Sequence, residues 1–274
     1  MTAQFKASDL EGYLLQEFKG ERASWVGSSA GAAARCARHP GTPEWEYMWN
    51  DVDLFCSSPL SVISVGKSIL DRGGAPASDD MYRKWQRALA WGEGNFHTMS
   101  IKMFTKDGVL INLVFKKVGN SPLRRIDHQI GSFDFSNVSM GVDLRTGRHV
   151  DAFPMFWYGE DPDIVRIFPD REDEWRNGNV TKHQGVRQAE RYAINVDREY
   201  DMQACVEPLV YGYRIVGAHY MDEGDDIGKE FARLYLALAD MIDEGRNDDL
   251  LELYRDVGPK KEIEKFAAHM LVAP

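Results

Sequence analysis

The sequence predicts an α+β protein, with a mixed sheet in residues 1–155 and a mostly helical region in residues 156–274. Three observations lead to this fold class. Runs in which polar and apolar residues alternate, as in half-buried strands, are separated by runs with helical periodicity. Two of the alternating runs meet at an Asp-Gly turn, which is a strong hairpin signal. Towards the C-terminus the apolar residues recur at helical spacing, so strands are expected mainly in the first part of the chain.

The first elements follow from local signals. A helix is predicted over residues 7–18, where Ser8 can cap the N-terminus and apolar residues form one stripe. A strand over 24–29 then leads into a run of small residues, 28–34, which either lets the backbone approach another group closely or forms a flexible loop. The following segment, 35–45, contains Pro and Gly and is predicted to be irregular.

The rest of the sheet region alternates between helical and extended patterns. A second strand is predicted over 47–56, and the hairpin joins residues 99–104 to residues 109–115 through the Asp-Gly turn. The other predicted elements are helices at 59–71, 79–91 and 122–130, an extended run at 132–144, and a returning strand at 149–153.

The C-terminal part is predicted to be helical. Residues 159–185 are polar and contain prolines, so a long loop with little regular structure is expected there. A helix over 186–196 follows, and the remaining residues are expected to be helical. Three separate helices are predicted there, over 226–244, 248–256 and 260–271.

Charge and composition limit the function classes. The formal net charge is -10, so the chain as a whole is a poor non-specific binder of phosphate backbones. This disfavours a tRNA or DNA substrate and favours a protein or small-molecule acceptor. The three cysteines are widely spaced and form no CxxC motif, which indicates free thiols in a reducing compartment. The N-terminus lacks a signal-peptide pattern, and no apolar run approaches the roughly 18 residues of a membrane span. We therefore expect a cytoplasmic protein with no membrane partner.

Two carboxylates on the predicted second strand form the main chemical signal. Asp51 and Asp53 are two residues apart, so in a strand both side chains project from the same face. Two negative charges held that close repel each other unless a cation lies between them. Hard divalent cations such as Mg²⁺ prefer oxygen ligands of this kind. The pair therefore predicts a metal site, although paired surface acids are common and the motif alone is weak.

A Gly-Ser pair at the end of the first predicted strand is the second signal. Gly27 has no side chain, which lets a phosphate approach the backbone. The exposed N–H groups of such a turn and the Ser28 hydroxyl suit phosphate oxygens. The pair predicts a phosphate subsite close to the two aspartates.

The order of these motifs resembles that of the nucleotidyltransferase superfamily, which has the DNA polymerase beta-like fold. Gly27-Ser28 matches the G[GS] motif, and residues 51–54 match the Dh[DE]h strand that follows it. The gap between the motifs is longer than usual, so an insertion is expected between them. The resemblance covers about residues 20–200. The segments that look like the core of a divergent branch often encoded by phages and large viruses are 96–102, 109–115, 131–135 and 141–144.

The resemblance implies a nucleotidyltransferase core and its cofactors. Such a protein uses Mg²⁺ or Mn²⁺ and a nucleoside triphosphate such as ATP. It transfers the nucleoside monophosphate to a hydroxyl of RNA, a protein or a small molecule, and pyrophosphate is released. Asp51 and Asp53 would hold the metal, and Gly27 and Ser28 would hold the phosphates.

One position departs from the superfamily pattern. The third carboxylate of the superfamily lies on a later strand, and the corresponding residue here is Asn112. An asparagine can contact a nucleotide or a metal through its carbonyl, but it brings no charge. Two alternatives remain open at this stage. Asp134, on a predicted Phe-Asp-Phe strand, supplies the third catalytic oxygen, or the site has two carboxylates only.

Basic residues further along the chain complete the predicted site. The resemblance implies a cation that reaches the triphosphate from the region of Lys182, Arg187 and Arg191, although a solvated helix face would show the same residues. Two other functions remain open. One is a catalytically inactive nucleotidyltransferase-like protein that binds nucleotide or a protein partner, which Asn112 favours. The weaker one is an adenylyltransferase that modifies cationic antibiotics, which the acidic charge would suit.

Overall fold

A computed structural model of the chain describes residues 6–39, 49, 51–91, 98–118, 121–122, 125–131, 133–151, 163–167, 182–223 and 226–257. The chain forms two compact units, Met1–Pro162 and Asp163–Pro274. The first unit is α+β and the second is helical, which confirms the predicted fold class. The predicted domain boundary at residue 155 lies outside the described residues.

The first unit contains helices and strands in mixed order. Its helices are α1 (Ala7–Phe18), α2 (Ser28–Arg38), α3 (Pro59–Asp71), α4 (Asp79–Trp91) and α5 (Ile126–Ile130). Its strands are β1 (Ala23–Val26), β2 (Val52–Cys56), β3 (Ala75–Pro76), β4 (Thr98–Phe104), β5 (Leu110–Val118), β6 (Ser121–Pro122), β7 (Met140–Asp143) and β8 (Arg148–Asp151). A short 3₁₀ helix, Ser136–Val138, precedes β7.

The strands form one mixed sheet in the order β3-β4-β5-β2-β1-β7-β8, and β6 pairs with β5. β2 and β5 run parallel, whereas β1 is antiparallel to both β2 and β7, and β4 is antiparallel to β5. The end of β1 therefore lies beside the start of β2 and close to the start of β5. This edge of the sheet positions the candidate site.

The two faces of the sheet are covered differently. One face carries the large core, in which side chains of β1, β2, β4 and β5 pack with helices α1 to α4. Trp25, Leu54, Ile101 and Leu113 lie on this face and are fully buried. The opposite face carries a smaller apolar cluster that includes Val26, Phe55 and Val114 of the sheet and Ile126 and Ile130 of α5.

Three helices have the predicted bounds because their amphipathic pattern is decisive. α1, α3 and α4 begin and end where the sequence predicts. In α3 the Ser58 hydroxyl accepts a hydrogen bond from the Ser61 backbone N–H at 3.1 Å, and Pro59 occupies the first helical turn. The hairpin of β4 and β5 is also confirmed, with strands slightly longer than predicted.

The run of small residues after β1 belongs to helix α2, which ends at Arg38. The flexible loop at 28–34 and the irregular start of 35–45 were therefore wrong, whereas the alternative of a close backbone approach at 28–34 is confirmed. Alanine is the best helix former, and four alanines and their neighbours are buried in this helix. Gly31 allows α2 to pack closely, because a Cβ there would lie 2.0 Å from the carbonyl oxygen of Asn137. The small side chains therefore serve close packing of a helix and not flexibility.

Two further predictions need correction. The extended run predicted over 132–144 is a bend and a 3₁₀ helix before the short strand β7, since the chain must turn before it joins the sheet. Of the helix predicted over 122–130, Ile126–Ile130 form α5, whereas Pro122 belongs to β6. The returning strand β8 follows a turn at Gly147, as predicted, and its last residue is Asp151.

The second unit consists mainly of helices α6 (Lys182–Asp197), α7 (Gln203–Glu223), α8 (Asp226–Asp243) and α9 (Asn247–Val257). α6 begins four residues earlier than predicted, so the end of the predicted loop is helical. α7 and α8 pack together, with the Tyr213 and Tyr235 rings 5.6 Å apart. The helix predicted at 260–271 lies outside the described residues.

Two general properties bear on function. Cys36, Cys56 and Cys205 are free thiols and all three are buried. Burial raises the pKa of the Cys56 thiol well above its ordinary value, which makes this thiol a poor nucleophile. Within the described segments, no helix combines the length and apolar character required to cross a membrane.

Candidate active site

Strand register brings the predicted motifs together at one edge of the sheet. Asp53 is paired with Val26 of β1 on one side and with Asn112 of β5 on the other. Asn112 is in turn paired with Lys102 of β4. Paired residues on neighbouring strands project from the same face. Asp53, Asn112 and Lys102 therefore line one continuous row across three strands.

Gly27 lies directly beside this row. Its φ of 88° is in the region that side-chain-bearing residues rarely adopt, and a Cβ at this position would lie 3.2 Å from Asp53 Oδ2. A glycine is therefore suited to this position, because it adopts the positive φ without strain and leaves room for the Asp53 carboxylate. The turn ends β1 and starts α2, so the predicted Gly-Ser pair is at a strand end, and it is also at a helix start.

The backbone N–H groups at the N-terminus of α2 lie at this edge of the sheet. α2 begins at Ser28, which is half-buried, and the first helical hydrogen bond runs from the Gly31 N–H to the Gly27 carbonyl. The N–H groups of the first turn have no helical partner, and the helix dipole adds positive potential. The Trp25 indole N–H donates to the Ser29 hydroxyl at 2.7 Å and fixes this first turn to the buried core. Such an end suits a phosphate group.

Asn112 is held to Asp53 by a direct hydrogen bond. The Asn112 amide Nδ2 donates to Asp53 Oδ1 at 2.7 Å, and the Ser100 hydroxyl donates to Asn112 Oδ1 at 2.7 Å. The register pairs Asn112 with Asp53 on the neighbouring parallel strand. Both ends of its amide are engaged, so the side chain orients one oxygen of Asp53 and leaves Oδ2 towards Gly27.

Lys102 is a site residue to which the sequence assigned no role. Its Nζ lies 2.6 Å from Asp51 Oδ2, and the two side chains are 44% and 19% exposed. The pattern of β4 contained a signal for it, because Ser100 and Lys102 alternate on the polar face of that strand. This alternation does not show which residue Lys102 faces. That follows only from the strand register of the hairpin, which pairs Lys102 with Asn112. The ammonium offsets part of the negative charge of the two aspartates.

The described residues contain no large cluster of metal-ligating side chains. Across the described segments, no group of three or more His, Cys, Asp or Glu side chains is placed to hold a metal. Mg²⁺ is commonly bound by one or two carboxylates together with substrate phosphates and waters. Asp53 lies on β2 beside Gly27, whereas Asp51 lies in a bend immediately before β2 and not on the strand as predicted. The two carboxylates stay candidate ligands for one such ion.

Asp134 is not on a strand, which corrects the sequence prediction. It lies in a bend ahead of the 3₁₀ helix and is buried, with a side chain that has bonded or ionic partners. The chain turns here because it must pass from α5 into β7. Of the two alternatives for the third oxygen, the absence of a three-carboxylate group among the described residues favours the site with two carboxylates.

The predicted basic residues belong to the second unit. Lys182 is the first residue of α6, and Arg187 and Arg191 lie on exposed positions of the same helix. Burial raises the pKa of Glu190, and the charges of Arg191 and Arg187 offset this rise only in part. Their contact with a triphosphate stays a prediction.

Comparisons with known proteins find only a distant structural similarity. No family model matches the sequence, and no curated protein is significantly similar to it. A solved structure described as the complex of a CCA-adding enzyme with CTP is similar over 98% of this chain and 82% of that chain, with 12% sequence identity and a TM-score of 0.41. These values are too low to carry a functional conclusion, so the function is inferred from the site.

Proposed function

We propose that this chain is a divalent-metal-dependent nucleotidyltransferase whose site is the sheet edge formed by Gly27, Asp51, Asp53 and Asn112. The observation that carries the proposal is the approach of Gly27 to Asp53, because the start of α2, which suits a phosphate group, then lies next to a carboxylate. A triphosphate at the start of α2 would be within reach of the same carboxylates that hold the metal.

Each residue of the site would have its own role in binding the metal and the triphosphate. Ser28 and the free N–H groups of α2 would hold phosphate oxygens, and Asp51 and Asp53 would hold one Mg²⁺ or Mn²⁺. The ion supplies neutralisation of the triphosphate charge. Lys102 is half-exposed, so its ammonium can leave Asp51 and contact a phosphate oxygen when the ion binds.

The transfer itself is a displacement at the α-phosphorus. The oxygen of an acceptor hydroxyl forms a bond to that phosphorus, the bond to the bridging oxygen breaks, and pyrophosphate leaves. Asp53 Oδ2 faces Gly27, so it would hold the ion on the side of the triphosphate, and the proton of the acceptor hydroxyl would leave to water. The net charge of -10 favours a protein or small-molecule acceptor over a nucleic acid.

A second candidate function is nucleotide binding without turnover. Two observations favour it. Asn112 replaces a third carboxylate, and Lys102 neutralises part of the charge that remains. A site with less negative charge attracts a cation less strongly. Such a protein would act as a nucleotide-responsive partner of another protein.

Transfer of label from an α-phosphate-labelled triphosphate separates the two candidates. The wild type is incubated with Mg²⁺ and with separate pools of RNA, proteins and small hydroxyl compounds, and the same is done with Asp53→Asn. Asp71→Asn is the matched control, because Asp71 is an exposed residue that pairs with Lys67 on α3. Label transfer by the wild type and the control, with loss in Asp53→Asn, is the expected result. Metal-dependent triphosphate binding without transfer to any pool would favour the binding function.

A further inference from the structure

A second concave surface lies at the opposite end of the strands that carry the candidate active site. Its cavity has a volume of about 520 Å³ and includes residues that precede β1 and follow β2, namely Arg22 and Ser57. Arg22 lies five residues before Gly27, about 16 Å along the strand, whereas the lining residue Phe55 lies two residues after Asp53, about 7 Å along β2. The cavity and the candidate active site share no lining residue.

The cavity is positively charged although the chain is acidic. Four arginines line it, Arg22, Arg125, Arg145 and Arg148, and its two carboxylates are Asp127 and Asp143. The four arginines come from three separate places in the chain: the residue before β1, the residue before α5, and the β7–β8 turn with the start of β8. The fold thus collects cations at one concave place while the chain as a whole carries a charge of -10.

The ion pairs within this cavity leave part of the positive charge available. Arg125 and Arg148 share one partner, since their Nη2 atoms lie 2.6 Å and 3.4 Å from the carboxylate oxygens of Asp127. Asp143 accepts a hydrogen bond from the backbone N–H of Arg145 at 3.0 Å, so its carboxylate turns towards the backbone.

Arg22 and Arg145 differ from the other two arginines. Both side chains are exposed, and no described residue forms an ion pair with either guanidinium. Two guanidinium groups that lie at one cavity and lack a carboxylate partner match the charge of a phosphate monoester. Arginine also binds phosphate through paired N–H donors.

The other lining residues indicate the size and character of the ligand. Phe55 and Ile126 give the cavity an apolar wall, and Ser24, Ser57 and Thr146 add hydroxyls. A volume of this order is typical of sites for small molecules. A long polyanion would meet the repulsion of the acidic surface outside the cavity.

We propose that this cavity binds a phosphate-bearing small molecule of about mononucleotide size, with its phosphate on Arg22 and Arg145 and its apolar part on Phe55 and Ile126. The site does not depend on the proposed transferase activity. It would give the protein a second ligand, bound without metal, at the end of β1 opposite to Gly27.

Calorimetry without divalent metal tests this proposal. The probes are inorganic phosphate, adenosine 5′-monophosphate, adenosine and a single-stranded oligoribonucleotide. The proteins are the wild type, Arg22→Gln/Arg145→Gln, and Arg83→Gln/Arg87→Gln as a control with the same charge change on α4. Each protein is also prepared with Asp51→Asn/Asp53→Asn, which separates this cavity from the candidate active site. Thermal unfolding of every variant checks that the fold is retained.

The expected result is that the monophosphate binds the wild type and the control, that adenosine binds neither, and that Arg22→Gln/Arg145→Gln weakens binding by about tenfold or more. The Asp51→Asn/Asp53→Asn background should leave this binding unchanged. Equal binding by the cavity variant and the control would overturn the proposal. It would also be overturned by loss of binding in the aspartate background, by equally tight binding of adenosine, or by binding of the oligoribonucleotide alone.

Discussion

Asn112 Nδ2 donates a hydrogen bond to Asp53 Oδ1 over 2.7 Å, between residues that are paired across the parallel strands β2 and β5. The bond places a neutral amide directly against the Asp53 carboxylate. A carboxylate at this distance from Asp53 would repel it in the absence of a cation. The asparagine therefore allows the site to be stable without metal, and this property leads to the first prediction.

Asn112→Asp should make the stability of the protein depend on metal. The new carboxylate faces Asp53 and loses the hydrogen bond, so without metal the variant should be less stable than the wild type by about 1–3 kcal/mol. Added Mg²⁺ should restore most of the loss because it binds between the carboxylates. Thermal unfolding with EDTA and with Mg²⁺ measures this. An identical response to Mg²⁺ in variant and wild type would contradict the assigned geometry.

Lys102→Met should strengthen metal binding. The ammonium at 2.6 Å from Asp51 competes with a cation for that carboxylate, and methionine keeps the length of the side chain without the charge. We expect the dissociation constant for Mn²⁺, measured by calorimetry, to fall by about threefold to tenfold. Lys84→Met is the control, because Lys84 forms an exposed ion pair with Asp80 on α4. Unchanged or weaker Mn²⁺ binding in Lys102→Met would show that Lys102 does not compete at this site.

Gly27→Ala should remove triphosphate binding and lower stability. The alanine would be strained at a φ of 88°, and its Cβ would lie 3.2 Å from Asp53 Oδ2, in the space proposed for phosphate. Gly20→Ala is a matched control, since Gly20 has a φ of 91° and no atom within 4 Å of the added Cβ. Both variants should lose about 1 kcal/mol or more of stability. Only Gly27→Ala should lose binding, so retained binding in that variant would refute the phosphate subsite.

Glu190→Gln should stabilise the protein at neutral pH and not in acid. Burial raises the pKa of Glu190 above its ordinary value of 4.5, and Arg191 and Arg187 offset this only in part. The pKa of Glu190 is higher in the folded protein than in the unfolded chain. Its contribution to folding stability is therefore fully present below pH 4.5, where the carboxyl is protonated, and is lost as the pH rises through the raised pKa. At pH 7 the charged carboxylate is therefore unfavourable, and glutamine removes this effect.

Thermal unfolding from pH 4 to pH 8 checks the Glu190 prediction. The midpoint of Glu190→Gln should exceed that of the wild type at pH 7, and the difference should shrink towards pH 4. Glu252→Gln, at an exposed position of α9, serves as the control. A difference that stays constant over this range, or that grows in acid, would contradict the stated cause.

Local patterns predicted much of this structure. α1, α3 and α4 have clear apolar stripes, and the β4–β5 hairpin has a strong turn signal, so their positions follow from periodicity. The superfamily resemblance singled out Asn112, whereas its place beside Asp53 is given by the strand register. α2 was missed because its small residues suit a loop as well as a closely packed helix, and only contact with Asn137 and the core separates the two.

The parts of the site that could not be predicted from the sequence depend on strand register and on tertiary contacts. Lys102 reaches Asp51 because the hairpin pairs it with Asn112, and no local signal fixes that pairing. Asp134 was assigned to a strand because its flanking phenylalanines alternate with it, whereas the chain bends there to enter β7. The arginine cavity combines residues from distant segments, so no single motif reveals it.

Calorimetric titration of each of the four common nucleoside triphosphates, with and without Mg²⁺, tests the central claim most directly. The proteins are the wild type, Asp51→Asn/Asp53→Asn, and Asp79→Asn/Asp80→Asn as a control with the same charge change at the start of α4. We predict that at least one triphosphate binds the wild type and the control only with Mg²⁺, and that Asp51→Asn/Asp53→Asn loses this binding. Absence of binding to the wild type, or equal binding by the Asp51→Asn/Asp53→Asn protein, would contradict a metal-triphosphate site at this edge of the sheet.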